Sequence, residues 1–383
     1  MRVIVVGAGI GGLTLALSLH ARGVRPLVLE RASALEAAGA GVQLGPNATR
    51  LLFALGLETP LRTVSTTPEA AQVSDGASGR GLFSMPLGAE AERRWGAPYL
   101  QIHRANLQAL LLDAVQARDA ADLRLDADVT SVEPDGVRLS TGETIPADAV
   151  AGADGVRSHV REEICGPSPP RRLGETAWRA LIPVAPQDAR SAVVWTWPRR
   201  HLVAYPVSGG AMLNLVAVTP GARDDASWTT PGDPDALRAA FADAAPQVRA
   251  LLARVESASR WALTDLPPLP GWSKGAAVLM GDAAHATAPY FAQGAAMAVE
   301  DAEALARHLT GGGSLAGRFA AYEAERRPRT ARVQAASRRN GVIFHLPSPL
   351  TVRGFGLAAT ADKALARSPA ARLDWLYGYR PPV

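Results

Sequence analysis

Cysteine, lysine and aromatic residues are scarce in this 383-residue chain, and each shortage narrows what the protein can be. Cys165 is the only cysteine, so neither an intramolecular disulfide nor a cysteine zinc cluster can form. No run of about 18 apolar residues occurs, which leaves no candidate membrane span. The N-terminus opens at once on the strand-like RVIVVGAG and lacks the charged, apolar and cleavage segments of a signal peptide, so a cytoplasmic location is expected. Lysine occurs only at Lys274 and Lys363, and arginine supplies the remaining basic charge. Such a bias beside abundant alanine reads first as genomic composition. Basic residues are scattered, with short pairs at Arg199-Arg200 and Arg326-Arg327 and no interleaved aromatics, so no nucleic-acid surface is expected. The net charge of +4 is modest but can draw in an anionic substrate. Hydrophobic residues are 48% and aromatics 5%, so a large core of mainly Ala, Leu and Val is available, enough for one large domain or two smaller ones.

What is present begins with a βαβ unit. Arg2–Val6 and Arg25–Glu30 are short apolar runs, and Gly11–His20 between them repeats its apolar residues at helical spacing. A second helix is predicted over Asn106–Arg118, strands over Asp128–Val132 and Gly136–Leu139, and a strand followed by a Gly-containing turn over Ala147–Gly155. From about Pro167 to Trp261 the character changes. Trp178, Trp195, Trp197, Trp228 and Trp261 concentrate there, and the runs Ala192–Trp197, Leu202–Pro206 and Met212–Val218 suggest an antiparallel sheet, with one helical excursion over Asp235–Val255. Ala276–Gly281 returns to a buried-strand pattern, Gly294–Leu309 is a helix, and Arg-rich helix continues to about Asn340. The expected organisation is therefore α/β. A discontinuous nucleotide-binding domain (1–70, 98–170 and 262–330) surrounds an inserted β-rich substrate domain (71–97 and 171–261), and a C-terminal helical segment covers 331–383.

Gly7-Ala8-Gly9-Ile10-Gly11-Gly12 follows the first strand and opens the first helix. In such a GxGxxG turn, Gly7 permits the tight bend, Gly9 lets backbone approach a pyrophosphate and Gly12 lets helix pack on strand. The helix N-terminus then offers free N–H groups to the phosphates. Glu30, at the end of the second strand, is placed to accept from ribose hydroxyls, and Arg31 beside it can face the adenosine. A Gly-rich turn alone is weak; with strand, helix and acid in place it points to a bound dinucleotide.

Two further motifs carry a family resemblance. The run 151–161, AGADGVRSHVR, resembles the DG motif of single-component flavoprotein aromatic hydroxylases, and Gly281-Asp282-Ala283-Ala284-His285 with PYFAQGAA (289–296) and Glu300-Asp301-Ala302 resembles their GD motif. GAGVQLGPNA (39–48), His103-Arg104 and DWLYGY (374–379) resemble the branch containing salicylate hydroxylase, 3-hydroxybenzoate 6-hydroxylase and 6-hydroxynicotinate 3-monooxygenase. The resemblance implies a Rossmann-like FAD-binding domain of the para-hydroxybenzoate hydroxylase type, non-covalent FAD, and NADH or NADPH bound transiently without a second Rossmann domain. It places Asp282 against a ribityl hydroxyl, Arg104 on FAD, and Gly294 and Ala295 where helix N–H groups meet the flavin. For Asp154 and Arg157 it suggests roles near the pyrophosphate and in NAD(P)H use; a turn acid and a salt-bridged arginine remain the other reading.

His201 and Tyr205 lie four residues apart on one face of a candidate strand. In the salicylate hydroxylase-like branch an HxxxYP segment lines the substrate pocket, and an imidazole can take a phenol proton. Gln43 and Tyr290 are the next candidates; some relatives carry His at each position, which weakens transfer of any one substrate. His285 reads as structural or flavin-side. The implied reaction uses NAD(P)H and O₂ to hydroxylate a small phenolic or hydroxypyridine-type ring through a flavin C4a-hydroperoxide, with loss of a carboxylate where one stands ortho to the hydroxyl. The alternatives are a flavoprotein oxidase or dehydrogenase on the same fold and a silent FAD-binding module. A monomer or homodimer is expected.

Overall fold

The computed structural model describes residues 1–35, 41–186, 189–221, 230–364 and 368–382. Gly39 and Ala40 of the 39–48 motif, and Trp228, lie outside the described residues.

A six-stranded sheet runs in the order Ser273–Lys274, Ala277–Leu279, Ala149–Gly152, Val3–Val6, Leu27–Leu29, Asp122–Arg124, parallel except for the short hairpin at its first edge. Its central strands read VIVV, AVAG and AVL because both faces are covered and every position is buried, so none needs a polar side chain. The expected βαβ unit is present as Val3–Val6, Ile10–His20 and Leu27–Leu29. Helix Ile10–His20 buries nine of its residues between the sheet and the helices Gly294–Leu309 and Arg104–Ala117.

The second sheet has eight strands, in the order Thr230–Gly232, Ala258–Asp265, Arg171–Pro183, Met212–Pro220, Arg200–Val207, Ala192–Trp197, Ala70–Asp75, Gly81–Pro86. It differs from the expected antiparallel sheet at one pair: Ala192–Trp197 runs parallel to Ala70–Asp75, a hairpin strand from far earlier in the chain. The expected helical excursion is two short helices, Pro234–Ala240 and Pro246–Ala253. Pro246 cannot donate a backbone hydrogen bond and bars Ala245 from the helical region, so the second helix starts afresh at Pro246. The boundaries expected at 261 and 330 fall inside single elements, the strand Ala258–Asp265 and the helix Leu315–Phe344.

Strand alternation gives this sheet two different faces. Trp178, Ala180, Trp195, Trp197, Leu202, Ala204, Leu215 and Ala217 point one way and pack under the two short helices with Phe241 and Val248. The opposite face carries Glu175, Ala177, Arg179, His201, Val203, Tyr205, Asn214, Val216 and Val218, paired row by row. It faces the first sheet's domain, and the polar residues sit along its middle.

One buried charge network ties the elements together. On helix Gly294–Leu309, Asp301 accepts from the Gly281 amide at 2.8 Å, His285 Nε2 lies 2.5 Å away and Arg326 Nε 2.7 Å away. Glu300 accepts from Asn47 at 2.6 Å and from Arg329 at 2.6 and 2.7 Å, and pairs with Arg326 at 2.7 Å. Arg329 also donates to the Trp375 and Leu376 carbonyls and lies over the Tyr379 ring, which docks the C-terminus. Burial alone would raise the Asp301 carboxyl, but His285 and Arg326 outweigh it and hold it well below the usual range. Among the described residues no helix is long and apolar enough to cross a membrane.

Arg326 is wholly buried, so Arg326→Met leaves two acids without their shared cation. The variant is expected to lose about 3–5 kcal/mol of stability, read from urea unfolding at neutral pH. Because Asp301 is depressed in the folded state, the network stabilises above the ordinary carboxylate pKa of about 3.9 and its contribution fades as pH falls below that. The gap between the wild type and the variant should therefore narrow on acidification.

Candidate active site

The glycine-rich turn is shaped by close packing. Gly7 has φ +104°, and a Cβ there would stand 2.6 Å from the Ala153 carbonyl oxygen. A Cβ on Gly12 would come 1.9 Å from the Gly7 oxygen, so only glycine lets the helix start this near the strand. Gly11 packs against Ala298 and Met280. Gly9 is different, because a Cβ there would meet nothing within 4 Å and would project into open space. That space is a cleft bordered by Gly7, Gly9, Glu30, Arg31, Arg104 and Asp154. It is the room a pyrophosphate and ribose would take.

Glu30 is held in the cleft by two backbone donors, Ala8 N at 2.8 Å and Ala32 N at 3.1 Å. Its oxygens are thereby oriented before any ribose arrives. Arg31 is exposed at the rim. Asp154 borders the cleft, but its two oxygens accept from Ser158 Oγ at 2.6 Å and Val160 N at 3.2 Å. Its visible work is to hold the turn into helix His159–Cys165, and burial raises its carboxyl. Arg157 borders the same cleft.

The second wall comes from the GD motif. Gly281 turns with φ +59°, and Asp282 begins a short helix, its carboxyl accessible yet surrounded by protein and within electrostatic reach of Arg104, which borders the cleft. Burial raises the Asp282 carboxyl, opposed by His285 and Arg104. Gly294 opens its long helix facing Asp282, since a Cβ there would stand 3.9 Å from Asp282 Oδ1, and Ala295 follows it. Arg104, at the first residue of its helix, lies within electrostatic reach of both Asp282 and Arg179, so it stands where the two walls meet. His285 is buried against Asp301 and Trp272, which makes it a structural residue.

Across the gap stands the polar face of the eight-stranded sheet. His201 and Tyr205 share that face as expected, but four residues of strand separate them by about 13 Å, so they do not touch. Each has its own neighbours. Tyr205 packs over Gly41 and bonds to the Gln43 side chain, whose Oε1 also accepts from Tyr99 at 2.6 Å. Burial pushes the Tyr205 phenol well up, with Arg179 and Gln43 opposing. His201 sits among Tyr290, Phe344 and His345, with Nδ1 2.8 Å from His345 Nε2. Burial and His345 lower its imidazole to about 3, so it is neutral at pH 7. Tyr290 donates to Glu175.

Between the two, in the row Val203–Val216–Arg179, lies a residue the sequence reading missed. The Arg179 guanidinium rests 4.4 Å over the Trp261 ring and has no acidic partner among the described residues. Burial lowers it to about 10, opposed by Tyr205 and reinforced by Arg104. Its signal was available: TAWRALIP is an apolar strand with one charge on the face of Glu175 and Ala177. Other buried polar atoms also lack partners, namely both amide atoms of Gln101 and Nδ2 of Asn214. Gln101 pairs opposite Gln43, and Asn214 accepts from the Gly41 amide, so both flank the strand Gly41–Leu44. Buried polar atoms rarely go unpaired, and these two residues leave donors and acceptors free beside that strand. Cleft, orphaned donors and Asp282 together fit FAD.

Known proteins share this arrangement. A family model described as an FAD binding domain matches residues 1–337. The 3-amino-4-hydroxybenzoate 2-monooxygenase of Streptomyces cremeus is 38% identical over 99% of this chain and 95% of its own. The 3-hydroxybenzoate 6-hydroxylase of Klebsiella oxytoca is 34% identical over 99% and 97%. HpxO of Klebsiella pneumoniae, solved with FAD and uric acid, superposes with a TM-score of 0.81 at 26% identity, covering 97% of this chain and 94% of its own. The two sequence relatives are named as oxygen-inserting enzymes, which favours hydroxylation over the oxidase or dehydrogenase alternative.

Two substitutions test the cleft. Gly9→Val fills the open space beside the turn and should yield protein without flavin. Asp282→Ala removes a charge-assisted acceptor worth roughly 1.5–3 kcal/mol, so FAD should bind about ten- to a hundredfold more weakly. Fluorescence titration of apoprotein with FAD measures both, and an unchanged dissociation constant would assign Asp282 another role.

Proposed function

The chain belongs to the FAD-binding family of flavoprotein aromatic monooxygenases, and on that premise we propose that its substrate is a small phenol bearing a second anionic group, a carboxylate above all. Arg179 carries this reading. A guanidinium inside the protein with no acid beside it is costly unless a bound anion completes it. Its stacking on Trp261 leaves the planar donor edge to meet a carboxylate in bidentate geometry. The two named relatives act on an amino-hydroxybenzoate and a hydroxybenzoate, and both are phenols with a carboxylate.

The chemistry that FAD supplies when bound is redox: electrons taken from NAD(P)H and activation of dioxygen. The chain's own residues bind and prepare the ring. Arg179 lies midway between the Tyr205 row and the His201 row, and that interval suits one substituted ring lying on Val203 and Val216. In this pose Tyr205 and Gln43 hold one end of the ring. His201 and Tyr290 meet the hydroxyl at the other. A neutral imidazole accepts the hydroxyl proton, and the resulting phenolate is the electron-rich form that takes up oxygen. The apolar rows around the ring exclude water, which favours product over loss of the oxidant as hydrogen peroxide. Glu30 on one wall, with Asp282, Gly294 and Ala295 on the other, serves the cofactor, while Asp154 holds the turn that borders the cleft. The six-stranded sheet is thus the cofactor domain and the eight-stranded sheet the substrate domain.

Hydroxybenzoates, hydroxynicotinates and uncharged phenols should be compared for stimulated NADH loss and for product formed. Arg179→Met should raise the KM for a hydroxybenzoate about ten- to a hundredfold and leave that for an uncharged phenol nearly unchanged. Equal effects on both would remove Arg179 from anion recognition. His201→Ala and Tyr205→Phe should keep FAD while product per NADH falls and hydrogen peroxide rises, because positioned acid–base groups contribute about 10²–10⁴-fold. Wild-type coupling in both would move the pocket elsewhere.

A further inference from the structure

A histidine held near pKa 3 is a poor final resting place for a proton, and the residues behind His201 offer another. Resting on the phenol reading above, we propose that His345 and Glu175 complete a relay that carries the ring-hydroxyl proton from His201 toward the protein surface. The four groups come from four elements. His201 is on strand Arg200–Val207 and 2% exposed. His345 caps helix Leu315–Phe344, Glu175 is on strand Arg171–Pro183, and Tyr290 is on the turn Pro289–Phe291. His201 Nδ1 stands 2.8 Å from His345 Nε2, and His345 Nδ1 stands 3.1 Å from Glu175 Oε1. Tyr290 donates to the other Glu175 oxygen. The His345 and Glu175 side chains are 13% and 20% exposed, so the chain runs from a sealed end to a wet one.

With both imidazoles neutral, the donor and acceptor inventory gives one direction to each contact. The Glu175 carboxylate can only accept, and it pairs with His345 Nδ1 at ion-pair distance, 3.1 Å, which keeps the proton of His345 on that nitrogen. Its Nε2 is then the acceptor, and His201 must donate to it through Nδ1. That leaves the His201 Nε2 lone pair as the base. Glu175 thus sets the tautomer of a histidine it does not touch. The transfer balances simply. The substrate O–H breaks and its proton bonds to His201 Nε2; the Nδ1 proton of His201 passes to His345 Nε2; the Nδ1 proton of His345 passes to Glu175. The substrate is left a phenolate and Glu175 a neutral acid, which returns its proton to solvent. No imidazolium has to persist in the buried end, where burial opposes it.

The relay is built rigidly. The Arg199 amide donates to the His345 carbonyl at 3.1 Å, and Asn340 donates to the Tyr290 carbonyl at 3.2 Å. Gly341 lets the helix close on Tyr290, since a Cβ there would lie 2.8 Å from the ring. The titratable and charged groups facing His201 are His345 from the helix end, Tyr290 from the turn, and Glu175 and Arg179 from the sheet.

The test uses 4-hydroxy-3-nitrobenzoate, whose phenolate is coloured, bound to the FAD-loaded protein without NAD(P)H and titrated with pH by difference absorbance. Wild type should bind it as the phenolate with a phenol pKa below that in free solution. After a stopped-flow pH jump on the same complexes, Glu175→Gln and His345→Phe should form the phenolate about tenfold more slowly than wild type, with FAD content and melting temperature unchanged. Hydroxylation lost at pH 7 should recover as pH rises. Wild-type rates of ionisation in both variants overturn the relay, and they overturn the relay alone if His201→Gln does lose phenolate. Wild type that fails to bind the phenolate overturns the substrate reading as well. Should His345→Phe melt early, the isosteric Glu175→Gln decides.

Discussion

Two adjacent acids, Glu300 and Asp301, hold this molecule in its working shape. They sit buried on one helix and between them engage the Gly281 turn, His285, Asn47, Arg326 and Arg329. The partners come from three parts of the chain: the turn at 281–285, the helix that holds Asn47, and the helix that holds Arg326 and Arg329. Gly281 begins the short helix of Asp282, Asn47 belongs to the helix following the Gly41–Leu44 strand, and Arg329 reaches the C-terminal carbonyls. Two carboxylates side by side would repel in this interior. The two arginines and the histidine turn that repulsion into a demand for all partners at once, so the cleft walls are fixed relative to the long C-terminal helix.

That helix matters because its far end carries His345 to the substrate face. The distance between the cofactor cleft and the polar rows of the eight-stranded sheet is set by packing far from either. Alternation does the rest. One face of the sheet is spent on tryptophans and leucines under two short helices, and the other is left to display Glu175, Arg179, His201 and Tyr205 in register. A shift of one residue in any of these strands would send its polar side chains into the tryptophan layer. Register is therefore a functional constraint here as much as a folding one.

The glycine-rich turn shows how local rules and function coincide. Gly7 and Gly12 are required by backbone contacts inside the protein, whereas Gly9 is bordered by open space that a pyrophosphate would fill. Asp154 shows the opposite case. Its place beside the cleft invites a cofactor role, yet its oxygens are already committed to Ser158 and Val160.

By itself the sequence determined the βαβ unit, the glycine turn with its acid, the Gly294–Leu309 helix and the discontinuous order of elements. Those signals are local: apolar period, turn residues and motif spacing are written within about 30 neighbouring positions. It also put His201 and Tyr205 on one face, because a strand alternates whatever surrounds it. Tertiary structure decided who meets them. His201 finds its partner 144 residues away, Tyr290 finds Glu175 across 115, and Arg179 becomes notable only when folding leaves it without an acid. The parallel strand pair and the break before Pro246 were missed for different reasons. The first depends on a pairing partner more than 100 residues distant, and the second on proline chemistry that an apolar-period reading passes over. A proton path is a property of contacts, and contacts between distant segments are fixed only when the chain closes on itself.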